Sequence, residues 1–180
     1  MALAITGTGN GSLNNLALSA NTGTVVDTGK AGTIVQVVQA VNSTPFTTTS
    51  SSYVDDGLTA SITPTSSSNK ILVTTNHSIY FFRTSGSFVA CGFKLLRDST
   101  TVYEPLTSSG NISDYYIQAG GVPSIYLLGR AIITYLDSPS TTSSITYKTQ
   151  CAQSYSATLT VNAGGSPNGS SYITLMEVVS

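Results

Sequence analysis

The sequence predicts an all-β protein, with a sandwich or a barrel as its class. From Thr33 onward, short segments of β-branched and aromatic residues alternate with period two, and Ser, Thr, Asn, Gly or Pro bounds each segment. No segment of useful length has helical periodicity. No self-similar repeat of about 20–50 residues is present either, which argues against a solenoid, a propeller or a repetitive fibre shaft.

Residues 1–32 form the first predicted unit, an extended N-terminal attachment arm. Gly, Asn and Thr interrupt its short apolar pieces too often for a core strand. The candidate contacts of the arm with another protein are its apolar residues Leu3, Ile5, Leu13, Leu16 and Leu18. Residues 33–180 form the second predicted unit, one folded domain.

Ten strands are predicted in order along this domain. They cover residues 33–42, 45–54, 57–63, 70–83, 86–98, 112–118, 124–137, 143–153, 156–162 and 170–179. The segments between them have connector composition, because Asp56-Gly57, Gly120-Gly121 and Asp137-Ser138-Pro139 are typical of turns. The Gly-rich run 162–169 predicts a further connector before the last strand.

Four of these strands carry apolar residues on both faces, namely 33–42, 70–83, 124–137 and 170–179. A two-layer sandwich buries only one face of each sheet, so a sheet that is apolar on its other face needs a further cover. An antiparallel jelly roll that places its terminal strands centrally in one sheet gathers all four strands there. The sequence therefore predicts a jelly-roll sandwich whose two-faced sheet packs against other copies of the chain.

The candidate residues of this subunit interface share one parity: Leu72, Tyr80, Phe82, Tyr126 and Leu128. Their opposite-parity neighbours are the alternative, because the sequence does not say which parity faces inward. Strands 86–98 and 143–153 differ from the four, since Lys94, Lys148 and Gln150 mark one face as solvated. These two strands are predicted to lie in the other sheet.

Composition excludes several classes of partner. Seven Lys and Arg residues against eight Asp and Glu residues give a net charge of −1, so direct binding of nucleic acid is not expected. The apolar runs are far shorter than the roughly 18 residues that a membrane span needs. The first residues also lack the basic region of a secretory signal, and no membrane partner is expected.

The chain has few residues of the types that commonly act in catalysis or bind metals. His77 is the one histidine, and its flanking sequence supplies no carboxylate to orient it as a general base, so it is predicted to lie in the core or in a subunit seam. Cys91 and Cys151 are predicted to be buried free thiols, with a cross-strand disulfide as the alternative. Neither a metal nor another cofactor is expected, and the protein is predicted not to be an enzyme.

Two further groups have a structural and a functional interpretation. Asp55-Asp56-Gly57 is predicted to be a turn rather than a cation site, because adjacent carboxylates on a strand point to opposite sides. Tyr115 and Tyr116 adjoin loops, and a tyrosine ring can stack on a sugar or on another protein. Ordinary packing is the alternative for both rings.

Four runs of the sequence, in this order, carry a resemblance to a known family. They are GTIVQVVQAVNSTPFTTTSSSYVDDGLTASITPTSSSNKILV, FKLLRDSTTVYE, ITYLDSPSTTSSITYKTQ and SSYITLMEVV, which together extend from Gly32 to Val179. The chain resembles virion structural proteins of tailed bacteriophages, common among cyanophages and usually described as tail-fibre or structural proteins. The run MALAITGTGNGSLNN is similar to the N-terminal attachment segments of phage appendage proteins.

The resemblance implies a homotrimeric jelly roll of the tumour-necrosis-factor type in a virion assembled in the cytoplasm of a bacterial host. Its implied partners are other copies of the chain and, through the arm, the major capsid protein or another virion protein. The absence of a shaft repeat favours a capsid decoration or cement protein that stabilises the head. The alternative is a short tail-fibre or receptor-binding tip that binds a host-surface glycan, whereas a glycan-cleaving enzyme would need paired carboxylates across a cleft.

Overall fold

The computed structural model of the protein describes residues 30–84, 88–105, 107–108, 111–112, 115–118, 124–155, 157–162 and 169–180. Thirteen strands and no helix are present in these ranges. The strands are β1 Ile34–Asn42, β2 Phe46–Thr48, β3 Val54–Ile62, β4 Lys70–Arg83, β5 Phe88–Arg97, β6 Thr100–Tyr103, β7 Thr107–Ser108, β8 Asn111–Ile112, β9 Tyr115–Gln118, β10 Ile125–Asp137, β11 Ile145–Ser154, β12 Thr158–Val161 and β13 Ser171–Val178.

The first sheet is organised around β4, its longest strand. β10 pairs with β4 along one side, while β13 and β12 pair with two successive parts of its other side. β1 lies beyond β13, and β2 lies beyond β12. All of these pairings are antiparallel. The four strands predicted to share a sheet do so, as β1, β4, β10 and β13.

The second sheet has the order β3-β11-β5, with β6 and β9 on the far side of β5. Strands 86–98 and 143–153, predicted to have a solvated face, correspond to β5 and β11 and lie in this sheet. Successive long strands alternate between the two sheets, and the first strand pairs with the last. The architecture is therefore an antiparallel jelly-roll sandwich, and the predicted fold class is confirmed.

The core lies between the two sheets and is formed by one parity of each long strand. On β4 the odd-numbered apolar side chains Ile71, Val73, Ile79 and Phe81 are fully buried. The second sheet contributes, among others, Phe93, Leu95 and Tyr147 from its inner face. Each fully buried side chain of this kind stabilises the fold by about 1.5–3 kcal/mol relative to leaving it exposed.

The structure corrects the sequence interpretation of Asp55-Asp56-Gly57. This segment lies inside β3 and is not a turn. In the pairing of β3 with β11, Lys148 is opposite Thr59 and Gln150 is opposite Asp55. Residues 56–58 of β3 therefore lie opposite the single residue Thr149 of β11. Gly57 has a φ of 83°, a conformation that glycine adopts without a Cβ clash. The Asp-Gly pair therefore makes a β-bulge rather than a strand end.

Two other predicted strands are shorter than expected. Of the strand predicted over 45–54, only the three residues of β2 pair with a neighbouring strand. The amides of Ser50 and Ser52 instead donate hydrogen bonds to hydroxyls two residues earlier. Backbone bonds to hydroxyls two residues away compete with strand pairing in such Ser- and Thr-rich segments. The prediction at 112–118 divides into β8 and β9.

Both cysteines are free and buried, which confirms that prediction. They lie on neighbouring strands of the second sheet, where Cys91 is opposite Gln153 and Cys151 is opposite Phe93. The two thiols are thus diagonal neighbours in the core. Burial, followed by the nearby charge of Asp56, raises the pKa of Cys151 far above its usual range, so this thiol stays protonated at neutral pH.

Candidate interaction face

The outer face of the first sheet is the face turned away from the second sheet. On β4 it holds the even-numbered residues, and strand register assigns the rest, because directly opposed residues point to the same side. Leu136, Leu72, Met176 and Val37 form one row across the four strands. Thr134, Thr74, Thr174 and Gln39 form the next row.

All five predicted interface residues lie on this outer face. Tyr126 is opposite Phe82, Leu128 is opposite Tyr80, and Leu136 is opposite Leu72. The structure thereby decides the question that the sequence left open, since the odd parity of β4 fills the core and the even parity faces outward. Tyr126 and Leu128 are 65% and 72% exposed.

Large apolar side chains are unusually exposed on this face. The exposed large hydrophobic residues of the described ranges are Ile34, Val37, Val41, Tyr126, Leu128, Ile132, Leu136 and Tyr172. All belong to the first sheet. Taking about 200 Å² for a fully exposed large side chain, their exposed fractions together correspond to on the order of 900 Å². The polar row of Thr134, Thr74, Thr174 and Gln39 divides this area, whose total is similar to the roughly 800 Å² that each partner buries in a standard protein interface.

The outer face of the second sheet has the opposite character. Lys94 Nζ lies 2.9 Å from Glu104 Oε1, and Lys148 Nζ lies 2.9 Å from Asp55 Oδ2. Hydrogen bonds from Lys148 and Gln150 lower the pKa of Asp55. Charged side chains therefore cover part of this outer face, whereas the outer face of the first sheet carries the large exposed apolar side chains.

The interior contains a polar cluster that joins the two sheets. His77 Nε2, on β4, lies 3.3 Å from Asp56 Oδ2 and 3.0 Å from Thr149 Oγ1, which belong to β3 and β11. Thr149 Oγ1 also donates to Asp56 Oδ1 at 2.7 Å. The His77 ring stacks on Phe93 at a centroid distance of 4.1 Å. The prediction that His77 lies in the core is confirmed.

Asp56 is the partner that sequence reasoning missed. It lies on a strand of the opposite sheet, where its side chain shares the buried parity of Leu58 and Ala60, and Leu58 N donates to its Oδ1 at 3.0 Å. The set of carboxylate, imidazole and hydroxyl has the composition of a catalytic triad. His77, Asp56 and Thr149 are, however, no more than 1% exposed, so no substrate can reach them.

Glu177 is a second buried carboxylate, at the end of β13. Its Oε1 accepts hydrogen bonds of 2.7 Å from the amide of Thr65, the hydroxyl of Thr65 and Asn69 Nδ2. Burial acts to raise the pKa of Glu177, but these bonds outweigh it and lower the pKa. The carboxylate thus fixes the connector 63–69 between β3 and β4 against the end of the sheet.

The remaining predicted site residues have different outcomes. Leu3, Ile5, Leu13, Leu16 and Leu18 of the predicted arm lie outside the described residues. Tyr115 and Tyr116 belong to β9, where they are register partners of Cys91 and Ala90, and their role in recognition stays a prediction. Within the described ranges, no group of three or more His, Cys, Asp or Glu residues could hold a metal ion, and no helix is long and apolar enough to cross a membrane.

Comparison with known proteins gives a weak structural likeness. No protein-family model matches the sequence, and characterised proteins give no significant match. Among solved structures, VP2 of infectious bursal disease virus in its subviral particle is 15% identical with a TM-score of 0.35, over 81% of this chain and 38% of that chain. The structure of the Gx strain of the same virus is 16% identical with a TM-score of 0.33, over 81% and 37%.

The chain spans less than two-fifths of the length of these viral chains. At TM-scores of this size the likeness supports no inference about function. The architecture therefore rests on the strand pairings themselves.

Proposed function

We propose that this chain is a non-enzymatic structural protein of a tailed-bacteriophage virion, acting as a homotrimeric decoration or cement protein of the capsid. The observation that carries the proposal is the contrast between the two outer faces of the sandwich, one charged and one apolar. An apolar area on the order of 800 Å² is what one partner contributes to a standard interface. The sequence resemblance to phage virion proteins supplies the viral context.

A second copy of the chain is the proposed cover of the apolar face. A homotrimer matches the three-fold and quasi-three-fold positions of an icosahedral lattice by symmetry. The preceding residues 1–32 are the proposed link to the major capsid protein or another virion protein. If extended, such a segment reaches up to roughly 100 Å, enough to lie across neighbouring capsid subunits.

The proposal is tested first by the number of copies in the virion. Quantitative gel analysis of purified particles should give many copies per particle, in proportion to the major capsid protein. Particles that lack the protein should rupture at a lower temperature or under milder osmotic stress. A few copies confined to the tail, with unchanged head stability and lost adsorption, would instead establish the receptor-binding tip.

The arm is tested separately. Deleting residues 1–32 should leave a soluble trimer that no longer binds capsids lacking the protein. The full chain, added under the same conditions, is the positive control. Capsid binding that survives the deletion would show that the folded domain, and not the arm, makes the attachment.

A further inference from the structure

Two buried oxygen atoms at one end of the core have no hydrogen-bond donor among the described residues. They are Glu177 Oε2, on β13, and Gln36 Oε1, on β1. Glu177 and Gln36 are register partners, and Glu177 is also opposite Ile71, whose side chain fills the core. The two side chains therefore point to the same inner side of the first sheet, where directly opposed Cβ atoms lie about 4.5–5.5 Å apart.

Glu177 also carries a charge that no cationic side chain of the described ranges neutralises. The carboxylates that form ion pairs in those ranges are Asp55, Asp56, Glu104 and Asp137. Burial acts to raise the pKa of Glu177, but hydrogen bonds from Asn69 and Thr65 outweigh it and lower the pKa, so the carboxylate is ionised at neutral pH. A buried charge is costly unless it is paired, and a buried acceptor is costly unless it receives a donor or a cation.

A polar cleft of about 450 Å³ lies beside these two residues. Thr65 and Asn69 line the cleft and also hold Glu177 Oε1 through hydrogen bonds of 2.7 Å. Val35 lines it from β1, where a bulge separates the pair Ile34–Val178 from the pair Gln36–Glu177. The cleft thus offers hydroxyl and amide oxygens close to the carboxylate and a path to it from solvent.

We propose that Glu177 Oε2 and Gln36 Oε1 are two ligands of a divalent-cation site, and that Ca²⁺ is the cation that fits it. Ca²⁺ accepts carboxylate, amide and water oxygens in a flexible geometry, whereas Mg²⁺ requires a near-ideal octahedron. Neither side chain offers a thiolate or an imidazole, which are the ligands that zinc prefers. The site has one carboxylate and is completed by neutral oxygens, so we expect a Kd on the order of 10⁻⁴–10⁻³ M.

Thermal unfolding of the full chain, after treatment with EDTA and dialysis, tests the site. Roughly 10 mM CaCl₂ should raise the Tm by about 3–10 °C, and NaCl at the same ionic strength should raise it much less. Glu177→Gln keeps the shape of the side chain and should abolish the calcium effect. Asp55→Asn is the matched control, because it neutralises an exposed carboxylate that pairs with Lys148, and it should retain the calcium effect.

A second variant separates the site from a simpler arrangement, in which the Gln36 amide turns over and donates directly to Glu177. Gln36→Glu replaces this amide with a second carboxylate. In a cation site it should lower the Kd for Ca²⁺ about tenfold in calorimetric titration, because calcium sites bind more tightly as their ligand charge increases. In the simpler arrangement it would place two carboxylates together and lower the Tm equally with and without calcium.

That last result would overturn the proposal. An equal calcium effect in the wild type and in Glu177→Gln would also overturn it, and so would an equal response of the wild type to NaCl. None of these outcomes bears on the proposed virion role, because the site is argued from the core of a single chain.

Discussion

The imidazole of His77 and the carboxylate of Asp56 lie 3.3 Å apart between two sheets, and neither side chain is accessible to solvent. His77 belongs to β4 of the first sheet and Asp56 to β3 of the second. The pair therefore joins the two layers through a polar contact inside the core. Removing the carboxylate destabilises the fold, because buried hydrogen-bond donors are left without their acceptor.

Replacing Asp56 should therefore cost much more stability than replacing its neighbour. Asp56→Ala removes the acceptor for His77, Thr149 and the amide of Leu58, and should lower the free energy of unfolding by about 1–3 kcal/mol for each donor left unpaired. Asp55→Ala is the matched control, since Asp55 is exposed and its ion pair with Lys148 is worth at most about 1 kcal/mol. Urea denaturation measures both. Equal losses would mean that the buried pair contributes nothing specific.

The bulge at Gly57 should tolerate no side chain. Gly57→Ala places a methyl group in the left-handed region and 3.0 Å from Asn42 Nδ2, so we expect a loss of about 1–2 kcal/mol from conformation alone and more from the clash. Gly32→Ala is the control, because its φ of 86° is similar but its Cβ would meet open space. Thermal unfolding should rank Gly57→Ala as the less stable variant. The reverse order would contradict the described bulge.

Acid should weaken the protein partly through Glu177. Its folded pKa lies below the ordinary value of 4.5, so the carboxylate stabilises the fold fully above that value, and the stabilisation is lost as the pH falls through the folded pKa. Glu177→Gln removes this titration. The melting temperature of the variant should therefore fall less than that of the wild type below about pH 4.5. Parallel curves for the two proteins would show that Glu177 has the same pKa when unfolded.

Thiol reactivity reports the state of the core. Cys91 and Cys151 are fully buried, and burial keeps the thiol of Cys151 protonated, so a disulfide-exchange reagent should modify neither in the native protein at neutral pH. In denaturant without reductant, two thiols per chain should react. A count of zero would reveal a disulfide, and rapid native reaction would place one thiol at the surface.

Much of the fold could be predicted from the sequence because strand periodicity is local. The alternation along each strand determined which residues share a face, and apolar residues on both faces marked β1, β4, β10 and β13 as strands that need two covers. Lys94 and Lys148 marked the strands with a solvated face in the same way. These signals depend only on neighbouring residues, so they are readable without the fold.

What the sequence alone could not decide depends on contacts between distant segments. A strand that is apolar on both faces gives no sign of which face is inward, and only packing against β5 and β11 assigned Phe81 to the core and Phe82 to the surface. An Asp-Gly pair suits a turn or a bulge equally, and the pairing of β3 with β11 selected the bulge. The packing of the two sheets brought Asp56 to His77. The tertiary structure therefore decided which face of each two-faced strand is buried and which carboxylate contacts His77. Both depend on how strands that are far apart in the chain are arranged against one another.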